Sequence, residues 1–199
     1  MAANKVHFGL KRACYSMLTE TVDPDTGVIT STYGPVKQWP GAVSLDMSST
    51  GDLSNFYADD GTYYTMSEES GYEGDFESAS IPDQFRQDAF GDIVDDNGAL
   101  IEGDGITQKY FAFGFETSGD VGGQRVWLYK CKATRPNVGG QTKGESPSVD
   151  TKTVNIVAIP RADETTLGTE TKRLVQARAK KDDACYANFF GSVYAPSVS

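Results

Sequence analysis

Hydrophobic and polar residues alternate along several segments of the chain, and Gly, Asp, Asn or Pro residues bound each of these segments. Successive side chains of a β-strand point to opposite faces, so the alternation is typical of strands with one buried face. Seven or more such strands fit a β-sandwich or an open barrel. The predicted strands span residues 7–19, 36–47, 62–66, 72–79, 109–116, 126–133 and 153–159.

One segment, IPDQFRQDAFG at residues 81–91, follows a helical period instead. Pro and Asp stand in its first turn, Phe85 and Ala89 lie four residues apart on one face, and Gly91 is a typical helix stop. A helix of about nine residues is not stable alone in water. We therefore expect Phe85 and Ala89 to pack into the core, with Phe85 as the anchor.

The remaining segments are less regular. Residues 48–61 and 135–151 lack periodicity and carry few core residues, and we expect them to be mobile loops or arms of a single domain that spans the whole chain. In the C-terminal segment, 160–199, the stretch LVQARA at 174–179 fits either a strand or a helix. A short helix near 183–190 is a further option.

Composition and charge argue against several classes of function. The chain has 28 acidic and 18 basic residues and a formal net charge of −10, which argues against affinity for a phosphate backbone. No apolar run is long enough for a signal peptide or a membrane span, so we expect a protein made and kept in a cytoplasm. Three widely spaced cysteines, Cys14, Cys131 and Cys185, favour small buried side chains over a disulfide framework or a metal clip.

The motifs of common catalytic and cofactor sites are missing. The single histidine is His7, and the chain contains no GxSxG, Walker or GxGxxG motif. The acidic turns that begin at Asp23 and Asp95 lack the first carboxylate of a calcium-binding EF-hand loop. We therefore expect no enzyme, no catalytic residue, no metal and no cofactor.

Three blocks of sequence follow one another in the first half of the chain: KVHFGLKRACYSML, WPGAVSLDMSSTGDLSNFYADDGTYY and GYEGDFESASIPDQFRQDAFG. In this order they resemble the major tail protein family of siphophages that infect Gram-positive bacteria. The third block, residues 71–91, is the most specific, because the family has a Gly-Tyr-Glu-Gly strand that runs into an Ile-Pro-Asp helix ended by Gly. After Leu100 the similarity is looser and rests on YFAFGF, RVWLYKCKA and NFFGSVY.

The resemblance implies a tail tube fold, a mostly β sandwich or open barrel with one short flanking helix. It implies a structural virion protein that is assembled in the host cytoplasm and resides in the tail. Subunits of that family form hexameric rings, whose sheets adjoin into an inner β-barrel, and the rings stack into a hollow tube. The implied partners are other copies of the chain, a tape measure protein, a tail terminator and distal tail or initiator proteins. Double-stranded DNA passes through without specific binding, and no membrane takes part.

The strand GYEGDFESA carries the candidate site residues. Glu73, Asp75 and Glu77 alternate with Tyr72 and Phe76, so all three carboxylates are predicted to share one face. Two interpretations remain open: an ordinary solvated face, or a lumen lining in which six copies form rings of negative charge. For the whole chain, the alternative function is a carbohydrate- or receptor-binding β-sandwich module, which the tyrosine-rich loops favour.

Overall fold

The structure is a computed structural model that describes residues 9–51, 53–58, 61–67, 71–105, 107–118, 123–139 and 150–197, with the backbone alone for 53–58 and 61–67. Its helical segments are α1, Asp83–Phe85, a π-helical turn, Arg86–Phe90, and a 3-10 turn, Tyr186–Asn188. In the described ranges, no helix is long and apolar enough to cross a membrane. The strands within the described residues are β1 Leu10–Val22, β2 Ile29–Tyr33, β3 Lys37–Gln38, β4 Ala42–Ser49, β5 Leu53–Ala58, β6 Gly61–Ser67, β7 Tyr72–Ser78, β8 Ile93–Val94, β9 Leu100–Ile101, β10 Phe111–Thr117, β11 Gln124–Ala133, β12 Lys152–Ile159, β13 Glu164–Leu167, β14 Glu170–Arg173 and β15 Gln176–Lys180.

Nine strands form one antiparallel sheet in the order β2-β1-β10-β11-β12-β7-β4, with β3 beside β1 and β15 beside β11. In this order, β3 lies near one end of the sheet and β4 lies at the other end, but only residues 39–41 connect the two strands. The sheet therefore curls, and Trp39 lies at the seam, where its backbone N–H donates to the Ala13 carbonyl at 2.8 Å. No hydrogen-bonded ladder joins β1 to β4 in the described part of the chain, so the curled sheet stays open. The prediction of a mostly β fold with an open sheet and one short helix is confirmed.

The curled sheet encloses an aromatic core, and the predicted helix closes onto it. Phe85 is fully buried, and its ring centre lies 4.3 Å from that of Trp39, 4.9 Å from that of Tyr15 and 5.0 Å from that of Phe111. Ala89 is buried in the same cluster. The chain leaves the helical segment at Gly91, whose φ of +76° lies in the left-handed region that glycine adopts easily. The predictions of a helix, of its stop at Gly91 and of the burial of Phe85 and Ala89 are confirmed, and the role of Phe85 as the anchor of the helix stays a prediction.

The opposite face of the sheet is covered by the C-terminal segment. Trp127 and Tyr129 of β11 point to this face, where the indole N–H of Trp127 donates to the Phe189 carbonyl at 2.8 Å. The Tyr129 hydroxyl donates to the Tyr194 carbonyl at 2.7 Å. The two options left open by the sequence are thereby decided: LVQARA runs into strand β15, and the segment after it forms only the 3-10 turn.

The predicted strands are all present, with some changes of boundary. The segment predicted as one strand over 36–47 is divided into β3 and β4, because Pro40 has no backbone N–H for a ladder and Gly41 adopts a φ of +84°. The prediction of a loop over 48–61 was wrong for much of that segment, since β5 lies within it and pairs with β6. Both strands carry aromatic residues that favour β-structure. Within the segment 135–151, residues 135–139 have no regular structure and 140–149 lie outside the described residues, as does His7.

Candidate functional site: the acidic face of the sheet

The three candidate carboxylates lie on β7, which runs between β4 and β12 in the sheet. Their registers place the polar side chains of the two neighbouring strands directly beside them. Asp75 is opposite Asp46 of β4 and Asn155 of β12, at the centre of the group. We call this surface the acidic face; it consists of Ser44, Asp46, Ser48, Glu73, Asp75, Glu77, Thr153 and Asn155.

Burial along β7 confirms that the carboxylates share one side of the strand. Glu73 and Asp75 are exposed and Glu77 is half-buried, whereas Phe76 and Ser78 are buried on the other side. The prediction of a common face from the period-two pattern is therefore confirmed.

Gly74 allows β4 and β7 to approach each other closely below the acidic face. A Cβ atom at this position would lie 1.7 Å from the Asp46 carbonyl oxygen and 2.7 Å from the carbonyl carbon. Both are backbone atoms, so no side-chain rearrangement would make room. The glycine in the Gly-Tyr-Glu-Gly block is therefore required by strand packing, and it fixes the position of the neighbouring carboxylates.

The carboxylates of the acidic face are held by neutral donors. The Asn155 amide donates to Asp75 Oδ1 at 3.2 Å, and the Ser44 hydroxyl donates to Glu77 Oε2 at 2.9 Å. The Thr151 hydroxyl donates to the other oxygen of Glu77. These hydrogen bonds, first that from Thr151 and then that from Ser44, lower the pKa of Glu77 below its ordinary value. The side chain therefore stays ionised at neutral pH.

No ion pair of the described residues involves Asp46, Glu73, Asp75 or Glu77. Asp46 of β4 and Asp75 of β7 are directly opposite each other on adjacent strands, and like charges in that arrangement destabilise a sheet. An ordinary surface would reduce this repulsion by a nearby lysine or arginine. Among the described residues, these four carboxylates therefore have no cation partner, which favours a role for the negative charge itself.

The nearest lysines beyond β12 are engaged elsewhere. Lys130 Nζ lies 2.7 Å from Glu20 Oε1, and the Nζ atoms of Lys130 and Lys132 each lie 4.5 Å from the centre of the Tyr110 ring. Cation–π contacts of this kind hold the ammonium groups beside the ring. The outer surface of the sheet is thus divided into an acidic part on β4, β7 and β12 and a separate cationic-aromatic part on β11.

Strand β4 borders the acidic face and ends the strand order of the large sheet. Its edge away from β7 has no strand partner in the part of the chain that the structure describes. Val43, on this edge strand, is 51% exposed. An unpaired edge presents backbone N–H and C=O groups that a strand of another chain can pair with.

A buried ion cluster fixes the C-terminal segment to the sheet. Arg125 Nε lies 2.9 Å from Glu116 Oε2, and the guanidinium lies over the Tyr186 ring at 4.1 Å and donates to the Tyr186 and Ala187 carbonyls. Burial would raise the pKa of Glu116, but hydrogen bonds from Arg125 and Lys11 outweigh it and lower that pKa. The cluster therefore connects β10, β11 and the 3-10 turn.

The other sequence candidates have structural roles. All three cysteines are free thiols; Cys14 and Cys131 are buried, and burial raises the pKa of Cys14 to about 12. The Asp23 carboxylate accepts the backbone N–H groups of Asp25 and Thr26, and so acts within its turn. In the described ranges, no group of three or more His, Cys, Asp or Glu residues is placed to hold a metal ion.

Asp46 is the member of the site that sequence reasoning missed. Its position opposite Asp75 depends on the register between β4 and β7, which includes an irregularity between Ala42 and Ser44. The alternation within one strand gives no information about that register.

Comparison of the chain with known protein families and with curated proteins gave no match.

Proposed function

We propose that this chain is a tail tube subunit, a non-enzymatic structural protein whose hexameric rings stack into the hollow tail tube of a siphophage. The observation that carries the proposal is the acidic face beside the open edge of β4, a face that has no cation partner among the residues that the structure describes. The order of the three sequence blocks, with their Gly-Tyr-Glu-Gly strand and Ile-Pro-Asp helix, supports it independently.

In this proposal the acidic face lines the lumen. Each ring then presents six copies of Asp46, Glu73, Asp75 and Glu77 to the passing DNA. Like charges in a narrow, poorly screened channel repel each other, so DNA phosphates do not adhere to the wall and transit does not stall. This role needs negative charge without cation partners, and no ion pair within the described ranges involves these four side chains.

The open edge of β4 provides the contact around the ring. Pairing of this edge with a sheet edge of the neighbouring subunit joins the sheets into a continuous inner barrel and removes an edge that would otherwise promote aggregation. The tape measure protein, the terminator and the distal tail or initiator proteins bound the length and the two ends of the tube. No catalytic residue, cofactor or membrane takes part.

Electron microscopy of the concentrated, purified protein tests the proposal. We expect rings or hollow tubes, and a reconstruction in which the four carboxylates face the lumen. Tubes with the acidic face on the exterior would contradict the lumen assignment while leaving the tube role in place. A protein that stays monomeric and is retained on a glycan array would instead support a carbohydrate-binding module. Among the tyrosines whose side chains the structure describes, none is exposed.

A further inference from the structure

Large exposed apolar side chains are concentrated at one end of the molecule. Seven such residues are exposed in the described part of the chain, with exposed fractions from 45% to 95%. One of them, Val43, lies on the edge strand β4. The other six are Val22, Val28, Ile93, Val94, Ile101 and Val138.

Strand register places those six residues towards the same end of the large sheet. Met17 of β1 pairs with Phe111, the first residue of β10, and Phe111 pairs with Cys131 near the end of β11. The last residues of β1 therefore extend beyond the start of β10, at the end of the sheet where β11 also ends. Val22 and Val28 flank the turn after β1. The β8–β9 hairpin is held at the same end, because Arg135, just after β11, bridges carboxylates on both sides of the hairpin: Asp92 at 2.7 Å and Glu102 at 3.1 Å. We call residues 22–28, 91–105 and 135–139 the upper end.

The upper end is strongly acidic. Its three ranges contain seven carboxylates and one cation, Arg135, which is already paired. Lys152 of β12 also reaches this end, where its Nζ donates to the Gly139 carbonyl at 3.1 Å, but it is paired with Asp150. Backbone N–H donors lower the pKa values of Asp23 and Asp95, the former mainly through Thr26 and the latter mainly through Ala99, so both turns stay charged. The surface therefore combines exposed apolar side chains with a negative rim. Exposed apolar groups rimmed by polar residues are typical of interaction sites.

The opposite end of the same strands is cationic. The start of β1, the end of β10, the start of β11 and the end of β15 meet there, since Leu10 pairs with Thr117, Thr117 with Gln124 and Gln124 with Lys180. We call residues 9–12, 116–118, 123–125 and 178–183 the lower end. It contains six cations and three carboxylates, in a chain whose formal net charge is −10.

Two features of the lower end leave positive charge free. Glu116 is the one carboxylate near three cations, Lys11 at 3.2 Å, Arg12 at 3.5 Å and Arg125 at 2.9 Å. Lys180 and Lys181 are exposed, and neither takes part in an ion pair with a described residue. The hydrocarbon stems of such lysines and arginines also cover apolar surface while their charged groups stay hydrated.

We propose that copies of this chain dock end to end, with the apolar, acid-rimmed upper end of one copy seated on the cationic lower end of the next. The occupant of each end is thus a second copy, because the two ends of one molecule are complementary in charge. A head-to-tail contact of this kind does not close on itself and builds filaments. The inference rests on the proposed function in that it names the stacking contact between successive rings.

Paired charge reversals test the contact. In one variant, Lys180→Glu and Lys181→Glu leave the lower end with more carboxylates than cations. In the other variant, four exposed carboxylates of the upper end become lysines, which leaves it with more cations than carboxylates: Asp25→Lys, Asp96→Lys, Glu102→Lys and Asp104→Lys. Each variant alone then carries like charges at its two ends, and we expect about tenfold less polymer in sedimentation at low salt. An equimolar mixture restores complementary contacts, so we expect polymers that contain both variants. The control variant, with Lys180→Arg and Lys181→Arg, keeps its charge and should polymerise like the parent.

A second, uncharged variant tests the apolar part of the same contact. Ile93→Ser with Ile101→Ser removes exposed apolar groups from the β8–β9 hairpin, and we expect single rings with few stacks. Circular dichroism and the melting temperature show whether each variant is folded.

The possible failures of the two proposals are distinguishable. If the parent forms hollow tubes and both reversal variants do so equally, or if their mixture polymerises no better than either alone, the end-to-end contact is overturned and the tube role stands. If the parent forms solid filaments that respond to the reversals as expected, the contact stands and the tube role fails. A parent that stays monomeric at every concentration contradicts both.

Discussion

At the scale of single residues, Phe85 shows how one side chain fixes a short helix. Its ring packs against Trp39, Tyr15 and Phe111 inside the curled sheet and is fully buried. Truncation of such a ring leaves a cavity, so we expect Phe85→Ala to lower the free energy of unfolding by about 3–5 kcal/mol. Urea denaturation measures the loss. Gln84→Ala, at an exposed position of the same helix, is the control, and an equal effect of both substitutions would contradict the anchor role.

Gly74 provides a second test at the residue scale. Since a Cβ atom would lie 1.7 Å from the Asp46 carbonyl oxygen, Gly74→Ala must push β4 away from β7. We expect a loss of about 1–3 kcal/mol, the usual cost of overpacking. Gly139 is the matched control, because a Cβ there meets no atom within 4 Å. Thermal melting of both variants compares them, and a melting temperature of Gly74→Ala equal to that of the parent would show that the strands separate without cost.

At the scale of elements, the ion cluster of Glu116 and Arg125 joins the sheet to the C-terminal segment. The pKa of Glu116 is lowered in the folded protein, so its contribution to stability is present above its ordinary value of 4.5 and is lost as the pH falls through the lower folded value. We expect Glu116→Gln to be less stable than the parent at neutral pH and to lose less stability on acidification. Urea unfolding from neutral pH to about pH 3 measures this difference.

The control for that measurement is Glu164→Gln, at an exposed position of β13. We expect its stability to change with pH as that of the parent does. If Glu116→Gln also shows the pH dependence of the parent, the cluster does not stabilise the fold through its charge.

The elements that the sequence predicts are those whose burial is periodic. Strands such as β7 and β12 alternate between core and surface, and the helical segment repeats Phe85 and Ala89 on one face, so both patterns are visible in one dimension. Strands β13 and β14 are missed because their side chains are largely polar and mostly exposed, which leaves no hydrophobic period. The division of β3 from β4 depends on the curl of the sheet at Trp39, a property of the whole fold.

The candidate site is likewise predictable only where its pattern is local to one strand. The common face of Glu73, Asp75 and Glu77 is local to one strand and is predictable from the alternation alone. Asp46 joins the site only through strand register, and the lack of a cation partner depends on where every lysine and arginine lies after folding. Sequence therefore predicts the orientation of the carboxylates, while three-dimensional pairing determines whether their charge is compensated.

At the scale of the whole molecule, charge is distributed unevenly. In the part of the chain that the structure describes, the acidic face has no cation partner, the upper end is acidic and the lower end is cationic. The formal net charge of −10 therefore does not describe any one surface. In the proposed tube, the ends attract each other along the axis while the acidic faces repel each other around the lumen. Apolar contacts and strand pairing must outweigh that repulsion for rings to form.

The final prediction separates the role of the acidic face in assembly from its role in transit. Replacement of Glu73, Asp75 and Glu77 by Lys converts a repulsive wall into one that attracts phosphate, because Lys–phosphate contacts release counterions and bind DNA without regard to sequence. In particles whose tails contain this variant, we expect slower genome ejection, with the defect relieved by added salt since screening weakens the attraction. A control with Glu164→Lys and Glu170→Lys on the β13–β14 hairpin reverses charge away from the acidic face and should eject at the parental rate. If the triple variant forms tubes and ejects its genome at the parental rate at low salt, the carboxylates do not act on the passing DNA, and the repulsion between Asp46 and Asp75 must be retained for another purpose.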